Sequence, residues 1–259
     1  MHSITRTDII NLLRLTLEPM EEVYALWEGG AAANNRLDQW SDIDLMIDVE
    51  DNAVEKTVNQ VEKALLSLSP FKLQYVLPTP TWHGHYQSFI LLTDTSPFLM
   101  IDYCVIQHSN PDKFTEPEIH GRALVHFDKL DVVATPPQNP IEWEKKLHKR
   151  LETLKINFDL FQPLVDKEIH RRHLLDCFSF YQGMTIRPLV EVLRIKYDPY
   201  HHNFHTRYAN DVFPRPVLNQ LEELIYVTSL EDIAAKMLKA KALFETTWNE
   251  LTQSSSLMK

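Results

Sequence analysis

The sequence predicts an α+β chain, a small mixed β-sheet with packed helices followed by an α-helical bundle, and three observations predict it. Through the first half, short strand-like apolar runs alternate with helical spacings of apolar residues. A breaker-rich stretch, TPPQNP at 135–140, then interrupts the chain. Beyond it the periodicity is mostly helical. With 259 residues, 44% of them hydrophobic and 24% charged, the chain has a globular composition and length enough for one large domain or two modest ones.

In order, a short helix is expected from Ile9 to Leu17. A second is expected from near Pro19, where proline suits a first helical position and Met20, Val23 and Leu26 or Trp27 share a face. A polar, small-residue loop then separates Gly29-Gly30 from a strand at Ile43 to Val49. Residues 53–68 read as a helix, because Val54, Val58, Val61, Leu65 and Leu68 recur at three- and four-residue spacings. Extended stretches are expected at Leu73–Leu77, Ser88–Leu92, Phe98–Ile106 and Leu124–Phe127. After the interruption, helices are expected over Ile141–Phe161, Lys167–Gln182, Ile186–Ile195, Val217–Tyr226 and Leu230–Leu251, the last opened by Ser229 as cap. The expected domains are 1–137 and 138–259, with QSSSLMK as a frayed tail.

Charge and cysteine use narrow the partners. Lys and Arg number 26 against 36 Asp and Glu, a formal net charge of −10. A chain so acidic argues against nucleic acid or an anionic membrane as partner, and a phosphate-bearing ligand would need divalent metal to help it dock. Cys104 and Cys177 lie far apart in hydrophobic contexts and form no CxxC pair, the pattern of buried thiols in a reducing compartment, so a cytoplasmic location is expected. The N-terminal MHSITRTDIINLLRLTLE is amphipathic rather than a signal peptide, and no apolar run reaches the roughly 18 residues of a spanning helix.

The chemistry concentrates in acidic residues. In Ser41-Asp42-Ile43-Asp44-Leu45, positions two apart on a strand face the same way, so Asp42 and Asp44 project together while Ile43 turns to the core. Two carboxylates on one face repel unless a cation or proton is shared, and a shared divalent metal makes a phosphate-docking site. Aspartates at a strand edge also serve simply to cap or solvate it. Asp102 interrupts the apolar run Phe98–Ile106, where a charge is costly unless it meets a ligand, a partner or solvent. If its strand lies beside that of Asp42 and Asp44, three carboxylates can surround two magnesium ions. Gly29-Gly30 lets backbone amides approach phosphate oxygens without a side-chain clash, and Arg36 offers a guanidinium fork from the same loop. Neither a GxxxxGK[ST] nor a GxGxxG motif occurs.

Together, Gly29-Gly30, Asp42-Ile43-Asp44 and the distal Asp102 resemble the signature of the DNA polymerase beta-like nucleotidyltransferase superfamily, in the form of its small antibiotic-modifying members. The resemblance covers roughly residues 15–130, with GRALVHFD at 121–128 similar to the strand that closes the family sheet. It implies that 1–137 is the catalytic domain, that Gly29, Gly30 and Ser41 hold nucleotide phosphates, and that Asp42, Asp44 and Asp102 coordinate two Mg2+ ions. It also implies a donor NTP, with ATP preferred, and a monomer or homodimer. More loosely, EVLRIKYDPYHHNFHTRYANDVFP at 191–214 resembles the helical substrate-cleft domain of aminoglycoside and lincosamide nucleotidyltransferases. That likeness implies a small-molecule acceptor such as an aminoglycoside, an antibiotic-resistance activity, and a general base that is either Glu191 or Asp102.

The histidines carry no comparable pattern. His83 and His85 read as loop residues, His170 and His173 as helix surface, and His201, His202 and His205 as a polar loop without zinc spacing. Two other classes compete with transfer: a metal-dependent phosphohydrolase, which would release phosphate without modifying an acceptor, and a non-catalytic nucleotide-binding or antitoxin-like protein.

Overall fold

The computed structural model describes residues 4–134, 137–254 and 256–258. Thr135 and Pro136 of the interrupting stretch, and Ser255 and Lys259 of the tail, lie outside them. The chain is α+β, a mixed sheet with surrounding helices followed by a largely helical region, and it divides into two compact units, Met1–Gln138 and Asn139–Lys259.

In the first unit, α1 (Arg6–Leu17) is opened by a Thr5 capping box and followed by β1 (Val23–Glu28), α2 (Gly30–Ala33), β2 (Ile43–Val49), α3 (Val54–Leu68), β3 (Phe71–Val76), β4 (Tyr86–Leu92), β5 (Ile101–Gln107), α4 (Pro117–His120) and β6 (Leu124–Asp128). The six strands lie in the order β3-β4-β5-β2-β1-β6. β2 and β5 pair in parallel at the centre, whereas every other neighbouring pair is antiparallel. One face, carrying Ile43, Leu45, Ile47, Ile101, Tyr103 and Val105, packs beneath Ile9, Leu13 and Leu17 of α1 and Val58, Val61 and Leu65 of α3. On the other face the described residues bury a small cluster, Ala25, Trp27, Cys104 and Ile106, and the start of the parallel pair lies outside it.

Residues 23–28 form a strand, where a helix was expected to continue from Pro19. β1 has Val23 and Leu26 in the helix-side core and Ala25 and Trp27 in the cluster on the other face, so its residues up to Trp27 read as a mostly apolar run that periodicity cannot distinguish from a buried helix turn.

The second unit contains α5 (Pro140–Arg171), α6 (Leu174–Phe180), a π-helical turn over Tyr181–Ile186, α7 (Arg187–Tyr197), α8 (Ala209–Val212), α9 (Arg215–Ile225) and α10 (Leu230–Gln253). Their apolar faces meet in one core, with the Phe158 and Phe244 rings stacked at 3.8 Å. The helix expected to end at Phe161 runs through Pro163 and ends instead at Arg171, capped by Arg172 with its left-handed φ of 61°. Apolar packing on both sides of Pro163, by Phe158 and Val165, holds the helical course across the missing N–H.

Candidate active site

The centre of the sheet places two carboxylates side by side. Parallel pairing matches Asp44 of β2 with Asp102 of β5, and strand alternation sends Ile43, Leu45, Ile101 and Tyr103 into the helix-covered core while both aspartates stand on the opposite face, each part-exposed. They line a cavity of about 130 Å³ with Met46, Trp82, His83, Gln87 and Phe114. That volume takes about four waters' worth of contents, room for a cation that keeps part of its hydration.

Asp102 is held by a chain of hydrogen bonds that runs in one direction. The His85 backbone N–H donates to His83 Nδ1 at 3.1 Å, which fixes the proton of that ring on Nε2. His83 Nε2 then bonds Gln87 Oε1 at 3.1 Å, and Gln87 Nε2 donates to Asp102 Oδ1 at 2.8 Å. Burial pushes the Asp102 carboxyl above the ordinary carboxylate range, the Gln87 bond works against that shift, and nearby Asp42 adds to it. A cation placed among these carboxylates would relieve both burdens.

The glycine pair lies directly against Asp44. The Gly29 N–H donates to the Asp44 carbonyl at 3.0 Å. Gly30 has φ +51°, and a Cβ built there would stand 1.7 Å from Asp44 Oδ2, so both backbone conformation and space require glycine. Asp42 sits one residue before β2, part-exposed, and its carbonyl accepts from Arg6 Nη1. Arg6 also pairs with Glu28, which is 2% exposed and accepts from His126 Nε2 at 2.9 Å, so this knot ties α1, β1, β6 and the entrance of β2 together.

Of the other loop residues, the Ser41 hydroxyl donates to Asp38 Oδ1 at 2.8 Å and accepts from the Asp38 N–H at 3.0 Å, closing a turn. Arg36 is exposed, its backbone N–H bonded to Ala31 at 2.9 Å. Glu191 lies in the other unit on α7, buried, with a bidentate bond from Arg150 at 2.6 and 2.7 Å and a His202 Nδ1 contact at 3.1 Å. Burial raises its pKa, but the Arg150 and His202 bonds overcome this and hold it down at about 2. A carboxylate held so low is a poor proton acceptor near neutral pH, and Glu191 here locks α7 to α5.

The donor chemistry of Asp42, Asp44 and Asp102 fits a hard divalent cation, since all three offer carboxylate oxygens on the uncovered side of the sheet. They do not, however, form a closed ligand set. Among the described residues, the one group of three whose ligand atoms lie within 4.8 Å of one another is Glu168, His173 and Asp176. In that group Arg171 also bonds Glu168 at 2.7 Å, and His173 and Asp176 stand largely in solvent, as in a surface ion-pair network.

No family model matches the chain, and no curated protein matches it. Solved structures do. An aminoglycoside 6-adenyltransferase from Bacillus subtilis is similar over 95% of this chain and 89% of its own, at 12% identity and a TM-score of 0.41. The spectinomycin adenyltransferase of Enterococcus faecialis, with ATP and spectinomycin, is similar over 96% of this chain and 100% of its own, at 10% identity and a TM-score of 0.34. A Thermotoga maritima CCA-adding enzyme complexed with tRNA is similar over 97% and 84%, at 12% identity and a TM-score of 0.32. Likeness at this level assigns no substrate. The expectation drawn from net charge, that nucleic acid is unlikely as a partner, is withdrawn, since a CCA-adding enzyme complexed with tRNA stands among the structures similar to this chain. Net charge sums over a whole surface, whereas a nucleic-acid contact is local.

Sequence reasoning missed Gln87, His83, Trp82 and Phe114 around the aspartates, and Arg6 and Glu28 beneath them. His83 and His85 are 8% and 2% exposed, packed against Phe114 rather than lying on a loop surface. The signal for Gln87 was a polar residue entering an apolar strand, as at Asp102, but its partner is set by antiparallel register that no local spacing reveals. The two cysteines are buried. No helix among the described residues is long and apolar enough to cross a membrane.

Proposed function

We propose that the chain is a metal-dependent nucleotidyltransferase that moves a nucleoside monophosphate, AMP from ATP, onto a hydroxyl of a small molecule such as an aminoglycoside. The observation that carries this reading is the matched pair Asp44 and Asp102 on adjacent parallel strands with the Gly29-Gly30 backbone against Asp44. Residues 1–137 act as the catalytic domain and residues 138–259 take up the acceptor. Asp42, Asp44 and Asp102 would hold Mg2+, which when bound neutralises phosphate charge and polarises the α phosphorus.

The chain's own residues do the rest. The Gly29 and Gly30 backbone, bare of side chains beside Asp44, would meet the phosphate oxygens, with Arg36 and Ser41 on the connection that follows α2. The acceptor oxygen bonds to the α phosphorus as its bond to pyrophosphate breaks in line, and Asp102 accepts the hydroxyl proton while Gln87 keeps its carboxylate in place. No covalent enzyme intermediate is needed.

The test is incubation of the purified protein with Mg2+, the four NTPs and separate acceptor panels of aminoglycosides, lincosamides and tRNA, following pyrophosphate and acceptor mass. A mass gain of one nucleotide that disappears in Asp44→Asn and Asp102→Asn supports the reading. Phosphate release without a mass gain would assign hydrolysis instead, and nucleotide binding with no pyrophosphate a non-catalytic role.

A further inference from the structure

The helical unit contains a second cavity whose chemistry is opposite to that of the aspartates. It has a volume of about 530 Å³, within the range of small-molecule sites and about four times that of the cavity at Asp44 and Asp102. It opens on the π-helical turn, where the Arg187 N–H reaches back to the Gln182 carbonyl. Single π turns are rare and recur at functional sites, because the extra residue re-aims side chains that an α-helix would present elsewhere.

Three features of its lining point to one ligand chemistry. First, Arg187 contributes a guanidinium, and among the described residues lining the cavity there is no carboxylate, in a chain whose formal net charge is −10. Second, the Gln182 amide nitrogen is buried with no hydrogen-bond partner. A turn of that side chain into the cavity it lines would give the unsatisfied donor a ligand oxygen as partner. Third, Arg187 Nη2 donates to His205 Nε2 at 2.7 Å, which orients the guanidinium and leaves the ring's own proton on Nδ1. Ile186, Val190 and Ile225 supply an apolar wall beside these polar groups.

We propose that this cavity binds a small molecule carrying an anionic oxygen group, a carboxylate or a phosphate monoester, on an apolar body. The guanidinium fork takes the anion, the Gln182 amide donates to one of its oxygens, and the isoleucine and valine side chains cover the remainder. The inference stands on the helical unit alone and does not depend on nucleotidyl transfer.

Isothermal titration of the full chain with phenyl phosphate and, separately, benzoate, with EDTA and without nucleotide, tests it. Saturable binding of either probe at millimolar concentration is expected, weakened about tenfold or more in Arg187→Met and in Gln182→Leu, and unchanged in Asp44→Asn. Tighter binding of phenyl phosphate would identify a phosphate ligand, and tighter binding of benzoate a carboxylate. Arg187 is exposed, so Arg187→Met should keep the wild-type melting temperature, which is measured alongside. Three results overturn the proposal: no saturable binding of either probe, undiminished binding in Arg187→Met, or binding lost in Asp44→Asn alone.

Discussion

Replacing Gly30 with alanine should damage the site far more than the fold. At φ +51° an alanine pays about 1–2 kcal/mol in backbone strain, and the stiffer unfolded chain returns about 0.4–1 kcal/mol, leaving a net loss near 1 kcal/mol. For a unit of this size that is a fall of about 2–4 °C in Tm. The steric consequence is larger. The new Cβ would lie 1.7 Å from Asp44 Oδ2 and 2.6 Å from its Cγ, so the carboxylate must rotate out of its place. A displacement of about 1 Å at a reacting centre costs on the order of a hundredfold in rate. Gly183→Ala is the matched control, because its Cβ meets nothing within 4 Å and the residue lies outside the aspartate site. Thermal unfolding by circular dichroism and nucleotide transfer to acceptor, measured on both variants, separate the two effects. If Gly30→Ala matches Gly183→Ala in activity, the Asp44 carboxylate is not where the reaction happens.

Glu191→Gln should be destabilised by about 2–3 kcal/mol at pH 7, because a folded-state pKa of about 2 against a reference of 4.5 stabilises the fold fully above the reference value. That contribution fades as pH falls from about 4.5 towards 2, so urea midpoints of variant and wild type should converge across that window, and a pH-independent gap would refute the assignment to the ionised pair. Arg6→Met strips Glu28 of its guanidinium and should cost about 3 kcal/mol in urea unfolding, since a buried charge is left to His126 alone. Joining it with Glu28→Met should recover much of the loss, whereas additive costs would show that the pair is not coupled.

Legibility followed the range of the interaction. The Ile43-Asp44-Leu45 alternation, the helical spacing of α3 and the Ser229 cap of α10 are local, and each could be read directly from neighbouring residues. β1 could not be, because its two faces are covered by clusters whose other members come from distant elements, α1 and α3 on one side and Cys104 and Ile106 on the other. The same limit hid the His83, Gln87 and Asp102 chain, which depends on the register of β4 against β5. Glu191 looked available as a base because Arg150, its partner, lies on another helix and nothing between them marks the pairing. Arg6 was invisible for the same reason, being joined to Glu28 and Asp42 only by the folded sheet.

The parallel pairing of β2 with β5 also sets when the aspartate pair can first form. Parallel neighbours cannot be joined by a tight turn, and here the crossover takes in α3, β3 and β4 before β5 returns beside β2. A chain emerging from the ribosome therefore carries Asp42 and Asp44 long before their companion exists. Any fragment that stops short of Ile101 holds half of an acidic pair. The aspartate cluster is thus assembled late, only when the central strand has closed the sheet.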